Sequence, residues 1–190
     1  MKDLAVILAN DFEDIEALTM VDFCRRAGVD LDMISIEEGL EVRSAHQVRI
    51  LADKLLKDTN FDDYGAIFIP GGLPGAETIR DQDEIIYALD DFKKEGKLIA
   101  SICAGPAALD RARVLTEGKF TCFPGYEGKL KTQGRLDEVV VEDGNVITAL
   151  GPAAALELAF TVIERLRGEK VRKDIEDETQ YTRLLKDYKK

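Results

Sequence analysis

Residues 101–106 constrain the fold most, because they place a cysteine where an apolar run meets a turn of small residues. Residues 97–100 are typical of a buried strand, and the small residues after the cysteine are typical of a turn that opens a helix. This is the pattern of a nucleophile elbow, which needs small residues two before and two after the nucleophile, as Ser101 and Gly105 stand around Cys103. The alternative is an inert cysteine that only packs in the core.

A helix N-terminus favours the thiolate form of a cysteine. We therefore expect Cys103 to be the one strongly acidic thiol of the three, with a pKa below about 7. Cys24, on an apolar helix stripe, is expected to be a core residue, and structural packing is the favoured interpretation of Cys122.

A carboxylate follows the first strand in a similar way. Residues 4–9 predict a buried strand, and the next segment predicts a helix that ends at Gly28. Its apolar residues recur at helical spacing: Ala17, Met20, Val21, Cys24 and Ala27. Glu16 lies at the edge of that stripe, where it either favours the helix dipole or points into a site. Since parallel strands end at one rim of a sheet, we expect Glu16 to approach Cys103, to be protonated and to titrate together with the thiol.

A third strand, residues 67–69, runs into a glycine-rich turn. Glycine lets the backbone approach a bound group closely, so the amides near Gly72 and at Ala104 could form an anion hole. A plain turn is the alternative.

The rest of the chain alternates predicted strands and helices without a repeat or linker. Strands are expected at 30–36, 139–141 and 146–150, an edge pair or hairpin at 40–43 and 48–51, and helices at 82–96 and 153–167. We predict one domain over residues 1–190, of which about 168–190 form a charged extension. That extension is either a solvated helix or frayed tail, or docks through its apolar residues Ile175, Tyr181, Leu184, Leu185 and Tyr188.

Together these segments resemble the DJ-1/ThiJ/PfpI superfamily. The motifs that carry the resemblance are residues 5–9 with Glu13 and Glu16, Val21 and Asp22 with residues 25–28, residues 70–72 with 75–76, residues 99–106, and Gly151 with Pro152. At the position after the cysteine this chain has Ala104, which resembles the DJ-1-like branch, whereas PfpI-like peptidases have a histidine there. Class I glutamine amidotransferases need a downstream His-x-Glu that this chain lacks. The resemblance implies a flavodoxin-like, three-layer α/β sandwich with a mainly parallel central sheet and a nucleophile elbow.

The resemblance also implies site roles. Cys103 matches the reactive cysteine, Glu16 the acid beside its sulfur, and Gly72 and Ala104 the backbone donors. Residues that could line the site are Gly71, Glu13, Asp22, His46 and Phe123. Phe123 stands where DJ-1-like sequences have a histidine before a proline, so a mechanism that requires that imidazole is not expected. His46 matches a position that approaches the site across a dimer interface near Asp22; a lone surface histidine is the alternative.

For function, the resemblance implies a cofactor-free, metal-free enzyme that acts on 2-oxoaldehydes such as methylglyoxal, of the glyoxalase III or deglycase type. Small aldehydes or peroxide are the expected partners, together with a second copy of the chain in a homodimer. The alternatives are a non-enzymatic peroxide sensor, in which the thiol is oxidised, and a chaperone-like stress protein. All of these are compatible with the sequence.

Composition excludes other classes. The formal charge is −11, with 26 basic against 37 acidic residues, so a nucleic-acid partner is not expected. Three cysteines without a close pair and a single histidine give no zinc pattern and fit a reducing compartment. The first apolar run is too short for a signal peptide or a membrane span, so we expect a cytoplasmic protein with no membrane partner.

Overall fold

The computed structural model describes residues 1–188 of the chain, the side chain of Tyr188 excepted. The strands are β1 Lys2–Leu8, β2 Leu31–Ser35, β3 Glu41–Arg43, β4 Arg49–Leu51, β5 Lys54–Leu55, β6 Tyr64–Ile69, β7 Leu98–Ile102, β8 Val140–Asp143 and β9 Val146–Ala149. The helices are α1 Asp14–Arg26, α2 Gly75–Arg80, α3 Asp83–Glu95, α4 Pro106–Arg111, α5 Ala155–Arg167, α6 Glu169–Glu178 and α7 Tyr181–Tyr188. Short 3-10 turns occur at Leu56–Asp58, Phe61–Asp63, Tyr126–Lys129 and Pro152–Ala154.

Seven strands form one sheet in the order β5-β2-β1-β6-β7-β9-β8, and β3 pairs with β4 as a separate antiparallel hairpin. Within the large sheet only β8 runs antiparallel, against β9. The central order β2-β1-β6-β7-β9 is the flavodoxin-like arrangement, in which the chain reverses its direction of winding between β1 and β6. The expected α/β fold with a mainly parallel sheet is confirmed, and the carboxyl ends of β1, β6 and β7 mark the rim where a ligand should bind.

Helices cover both faces of the sheet. Helices α1, α5 and α6 pack on one face, and α2, α3 and α4 on the other. Successive residues of β1 point to opposite faces: Leu4, Val6 and Leu8 into the first core and Ala5 and Ile7 into the second. All five residues of the predicted α1 stripe are buried, which confirms the helical spacing.

Two elements were not expected from the sequence, β5 and α2. Both are short, and α2 begins at Gly75 inside the segment that the glycines mark as a turn. The helix after the elbow is also short, since α4 has only six residues. The 40–43 and 48–51 segments do form a hairpin, as expected.

The charged C-terminal extension docks on the body through part of its length. Ile175 of α6 is 4% exposed within the core under α5, and the ring of Tyr181 lies 4.9 Å from that of Phe160. Leu184 and Leu185 stay exposed. Residues 189–190 and the side chain of Tyr188, which the sequence also assigned to this extension, lie outside the described residues. Within residues 1–188, no helix has both the length and the apolar character that crossing a bilayer requires.

Candidate functional site

The elbow is held in a strained conformation by its neighbours. Cys103 follows β7 with φ at +63°, a left-handed conformation that non-glycine residues rarely adopt. Its N–H donates to the carbonyl of Ala149 at 3.0 Å, and its own carbonyl accepts from the N–H of Phe123 at 3.0 Å. A Cβ at Gly105 would lie 2.5 Å from both the carbonyl oxygen of Ile69 and Oγ of Ser101. The elbow therefore requires a glycine here, as the sequence pattern predicts.

The carboxyl of Glu16 is packed beneath this elbow. Glu16 is 1% exposed, and its Oε2 accepts the N–H of Gly71 at 2.7 Å. Its Oε1 is buried without a hydrogen-bond partner of normal geometry, yet the Cys103 thiol lies close enough to shift the pKa of the carboxyl. A Cβ on Gly71 would fall 2.5 Å from Glu16 Oε2 and 2.7 Å from Cys103 Cβ. Gly71 thus fits between the two reactive groups only because it has no side chain.

Burial dominates the ionisation of this pair. It raises the pKa of Glu16 from 4.5 to about 7, although hydrogen bonds from Cys103 and Gly71 act in the opposite direction. Burial also raises the pKa of the Cys103 thiol, and the charge of Glu16 raises it further. Only the amides of Ala104 and Gly72, which hydrogen-bond to the sulfur, lower the pKa of that thiol. Near neutral pH, Glu16 is therefore poised to exchange a proton with a thiol that is itself hard to ionise.

These electrostatics overturn the expected low pKa of Cys103. The helix that was to stabilise the thiolate is only six residues long, and burial together with Glu16 outweighs the two backbone amides that lower the pKa of the thiol. Burial raises the pKa of all three thiols, to about 12 for Cys24 and to about 11 for Cys122. Both of these residues are 0% exposed, whereas Cys103 lines a cavity. Access, and not acidity, distinguishes Cys103.

A cavity of about 270 Å³ opens above the sulfur. It is lined by Glu13, Gly72, Leu73, Cys103, Ala104, Phe123, Tyr126 and Pro152. Five of these were expected to form or line the site; Leu73, Tyr126 and Pro152 were not, although Pro152 belongs to a quoted motif and Leu73 follows another. Because its walls are largely apolar and its polar groups converge on the sulfur, the cavity, called here the thiol cavity, suits a small carbonyl compound.

Phe123 forms one wall of the thiol cavity. Its N–H is bonded to the elbow, and its ring lies against Gly151, where a Cβ would be 3.1 Å from Cδ2. A phenyl ring cannot exchange protons, so the titratable groups among the lining and buried residues of the site are Cys103, Glu16, Glu13 and the phenol of Tyr126, whose pKa burial raises to about 12.

His46 lies beside this site within the same chain. Its Nδ1 is 2.8 Å from Oδ2 of Asp14 and 4.0 Å from Oε1 of Glu13. The Asp14 hydrogen bond, followed by the charge of Glu13, raises the pKa of His46. Asp14 also accepts the hydroxyl of Ser44 at 2.5 Å. One potential metal-ligand atom from each of Glu13, Asp14 and His46 lies within 4.8 Å of the others, but both Asp14 oxygens already have partners, so we interpret the group as a hydrogen-bonded network.

Asp22 does not join this network. It lies exposed on α1, six residues beyond Glu16, and its carboxylate pairs with Arg26 at 3.0 Å. Within one chain, the structure brings together Cys103, Glu16, Gly71, Gly72, Ala104, Glu13 and Phe123, with His46 at the edge. The expected approach of His46 to Asp22 concerns two copies of the chain and stays a prediction.

Comparisons with a family model, with known sequences and with solved structures all identify the same protein family. Residues 2–165 match the model of the DJ-1/PfpI family. Protein dj-1beta of Drosophila melanogaster is 33% identical over 170 residues, which cover 88% of this chain and 91% of that protein. Protein DJ-1 homolog B of Arabidopsis thaliana is 34% identical, but the match covers 88% of this chain and only 39% of that longer protein. The structure of oxidized Toxoplasma gondii DJ-1 superimposes with a TM-score of 0.89 at 34% identity, covering 95% of this chain and 98% of that one.

Proposed function

This chain belongs to the DJ-1/PfpI family, and from that premise we propose that it converts small 2-oxoaldehydes to 2-hydroxy acids with Cys103 as the nucleophile. The reaction is of the glyoxalase III type and uses no glutathione, cofactor or metal. The observation that carries the proposal is the buried Cys103–Glu16 pair, in which a carboxyl with a pKa of about 7 lies beside an accessible thiol.

The raised pKa of the thiol supports the role of Glu16 as a general base in the first step. As the sulfur forms a bond to the aldehyde carbon, the ionised carboxylate takes the thiol proton and passes it to the aldehyde oxygen. The product is a hemithioacetal, and Glu16 is again a carboxylate. A base is most useful when its pKa lies near the working pH, which is the condition that burial creates for Glu16.

The second step is an internal redox exchange. Glu16 removes the hydrogen on the sulfur-bearing carbon as a proton and returns it to the neighbouring carbonyl carbon, while the hydroxyl proton moves to that carbonyl oxygen. The first carbon is oxidised to a thioester and the second is reduced to an alcohol, so no external oxidant is needed. Water then breaks the C–S bond, which releases a 2-hydroxy acid and restores the thiol.

Backbone amides support the charge that develops on oxygen. The N–H groups of Gly72 and Ala104 already converge on the Cys103 sulfur, so an oxygen bound next to that sulfur can receive them. The apolar walls formed by Leu73 and Phe123 would hold the substituent of the aldehyde. Removal of sugar-like adducts from proteins, the deglycase activity, would begin with the same attack.

A turnover assay with methylglyoxal, without glutathione or added metal, tests the proposal. We expect Cys103→Ser to abolish formation of lactate, and Glu16→Gln to lower turnover about a hundredfold. Cys103 of Glu16→Gln should still react with iodoacetamide, because loss of the Glu16 charge lowers the pKa of the thiol. Cys24→Ala, which removes a buried thiol far from the cavity, is the matched control and should retain activity. Undiminished turnover in Glu16→Gln would remove Glu16 from the mechanism.

A second candidate, a peroxide sensor, is favoured by one observation. The amides of Gly72 and Ala104 that face the sulfur could also hold the oxygens of a sulfinate, and the similar Toxoplasma gondii protein is described as oxidized. A sensor predicts two added oxygens on Cys103 after mild peroxide and no lactate from methylglyoxal. Intact mass and turnover measured on one preparation separate the two functions.

We also propose that the chain forms a homodimer through the face that carries the hairpin and the start of α1. Ile15, Val48 and Leu51 are exposed there by 56%, 45% and 69%. Exposed apolar side chains grouped in this way are typical of an interface. Light scattering of wild type and Ile15→Glu tests this, since a monomeric wild type would contradict it.

A further inference from the structure

A second cavity, separate from the thiol cavity but sharing the wall of Tyr126 with it, lies between the ends of α2 and α4. It has a volume of about 290 Å³. Its lining consists of Arg80, Ala107, Asp110, Arg111, Tyr126, Lys129, Leu130 and Lys131. Four of these eight side chains are cationic, in a chain whose formal charge is −11. A concave surface that gathers cations against the overall charge of the chain requires a physical explanation.

Three of the four cations are held by ion pairs with acids outside the lining, and the guanidinium of Arg80 pairs with Asp81 at 2.8 Å. Arg111 donates to the carbonyl of Arg80 at 2.6 Å and pairs with Asp83. Lys129 reaches Glu77 at 3.0 Å and lies 5.0 Å above the ring of Tyr126. The acidic partners of these cations are not lining residues. Arginine and lysine side chains offer only donors, so these side chains present hydrogen-bond donors to a ligand.

The remaining charged residues of the lining are Asp110 and Lys131. Asp110, the one acid in the lining, is 8% exposed, and its oxygens accept the amides of Lys131 and Thr132 at 2.9 and 2.8 Å. Each of its oxygens therefore already accepts one backbone amide. The ammonium group of Lys131 forms no ion pair with any residue in the described range 1–188. The cavity lining thus combines one unpaired cation, three cations held by acids outside the lining, and one carboxylate that is bonded to two backbone amides.

We propose that this basic cavity binds a small phosphorylated compound. A phosphate group accepts several charge-assisted hydrogen bonds at once, and Arg and Lys are the residues that supply them. The ring of Tyr126 and the side chain of Leu130 offer an apolar surface for the organic part of the ligand. This proposal does not depend on the chemistry at Cys103.

Inorganic pyrophosphate is the probe, measured by calorimetry on the full chain at low salt. We expect a Kd at or below about 1 mM that weakens as salt is added. Lys131→Gln should weaken binding about tenfold. Lys57→Gln removes an exposed lysine from a different turn and is the matched control, which should bind as wild type does. Amide chemical shifts should move at residues 107–111 and 129–132.

Three results would overturn the proposal. The first is the absence of both heat and shifts at about ten times the expected Kd. The second is an equal loss of affinity in Lys131→Gln and Lys57→Gln, which indicates attraction by the general surface charge only. The third is citrate binding as tightly as pyrophosphate, which contradicts the phosphate class. Cys103→Ser should bind pyrophosphate unchanged, so a failure of the proposed enzymatic activity leaves this test intact.

Discussion

Two of the buried carboxylates lie at opposite ends of the parallel strands, called here the carboxyl edge and the amino edge of the sheet, and their pKa values are shifted in opposite directions. Glu16, at the carboxyl edge, is 1% exposed, and its pKa is raised to about 7. Asp32, near the amino edge on β2, is 6% exposed, and its pKa lies below the ordinary value. Burial opposes ionisation of both. The difference lies in what surrounds each group.

Asp32 has every partner that a buried charge needs. Burial acts against it, but the hydroxyl of Tyr64 donates to it at 2.6 Å, and the ammonium groups of Lys2 and Lys54 lie at 3.2 and 3.8 Å. Glu16 has one amide at 2.7 Å, a buried oxygen without a normal partner, and a thiol. One edge therefore stabilises the fold, while the other maintains a titratable group at a cost in stability, which is typical of an active site.

The first way to break this comparison is to add a methyl group at each edge. Gly71→Ala places Cβ 2.5 Å from Glu16 Oε2, so the carboxyl or the elbow must move, and we expect turnover to fall by about a hundredfold or more. Gly65→Ala, at the amino edge, meets its nearest atom at 3.5 Å, an ordinary contact, and should keep full activity. Equal kinetics for the two variants would mean that the close packing at Gly71 does not position the reactive pair.

The second prediction concerns the stability of the folded state against pH. The folded pKa of Glu16 is about 7 and its ordinary pKa is 4.5, so between these pH values the folded state retains a proton that the unfolded state has lost. The free energy of unfolding therefore falls by about 3 kcal/mol because of Glu16 as pH rises from about 4.5 to about 7. Glu16→Gln removes the penalty.

Urea unfolding at pH 5 and pH 8 measures this effect. We expect Glu16→Gln to be more stable than wild type at pH 8 and to lose less stability between the two pH values. Glu138→Gln changes an exposed carboxyl that does not line the thiol cavity and is the control. A variant that is less stable than wild type at pH 8 would contradict the raised pKa of Glu16.

The third prediction applies the same urea unfolding measurement to Asp32 at the amino edge. There the dependence of stability on pH has the opposite sign. The folded pKa of Asp32 is lowered, so its contribution is present above the unfolded pKa of about 4 and is lost as pH falls through the folded value. Asp32→Asn should cost about 2 kcal/mol at pH 7, because it leaves two lysines without their buried counter-charge. Turnover of methylglyoxal should be unchanged. A stable but inactive Asp32→Asn would show that the two edges are coupled.

How far the sequence predicts this molecule depends on the range of each interaction. The strands, the α1 stripe and the elbow rest on local spacing, and they are confirmed at Cys103, Gly105 and the five stripe residues. The predicted low pKa of Cys103 was wrong, because the local sequence indicates a helix N-terminus but does not indicate how deeply the sulfur is buried. The contact of His46 with Asp14 was missed because it depends on the bridge between Phe12 and Ser44, which joins the hairpin to the start of α1.

The smallest expected effect concerns the pKa of His46, which lies at the carboxyl edge. His46 is the only histidine of the chain, so its imidazole signals in a proton NMR titration are unambiguous. Its hydrogen bond to Asp14 raises its pKa above 6.5, and the stabilisation from that bond is complete below 6.5 and is lost as pH rises through the folded value. Asp14→Asn should return the midpoint toward 6.5, whereas Asp22→Asn, on the same helix, should leave it unchanged. If instead Asp22→Asn moves the midpoint and dilution does the same, His46 meets Asp22 of a second copy of the chain, and the network belongs to a dimer interface and not to a single chain.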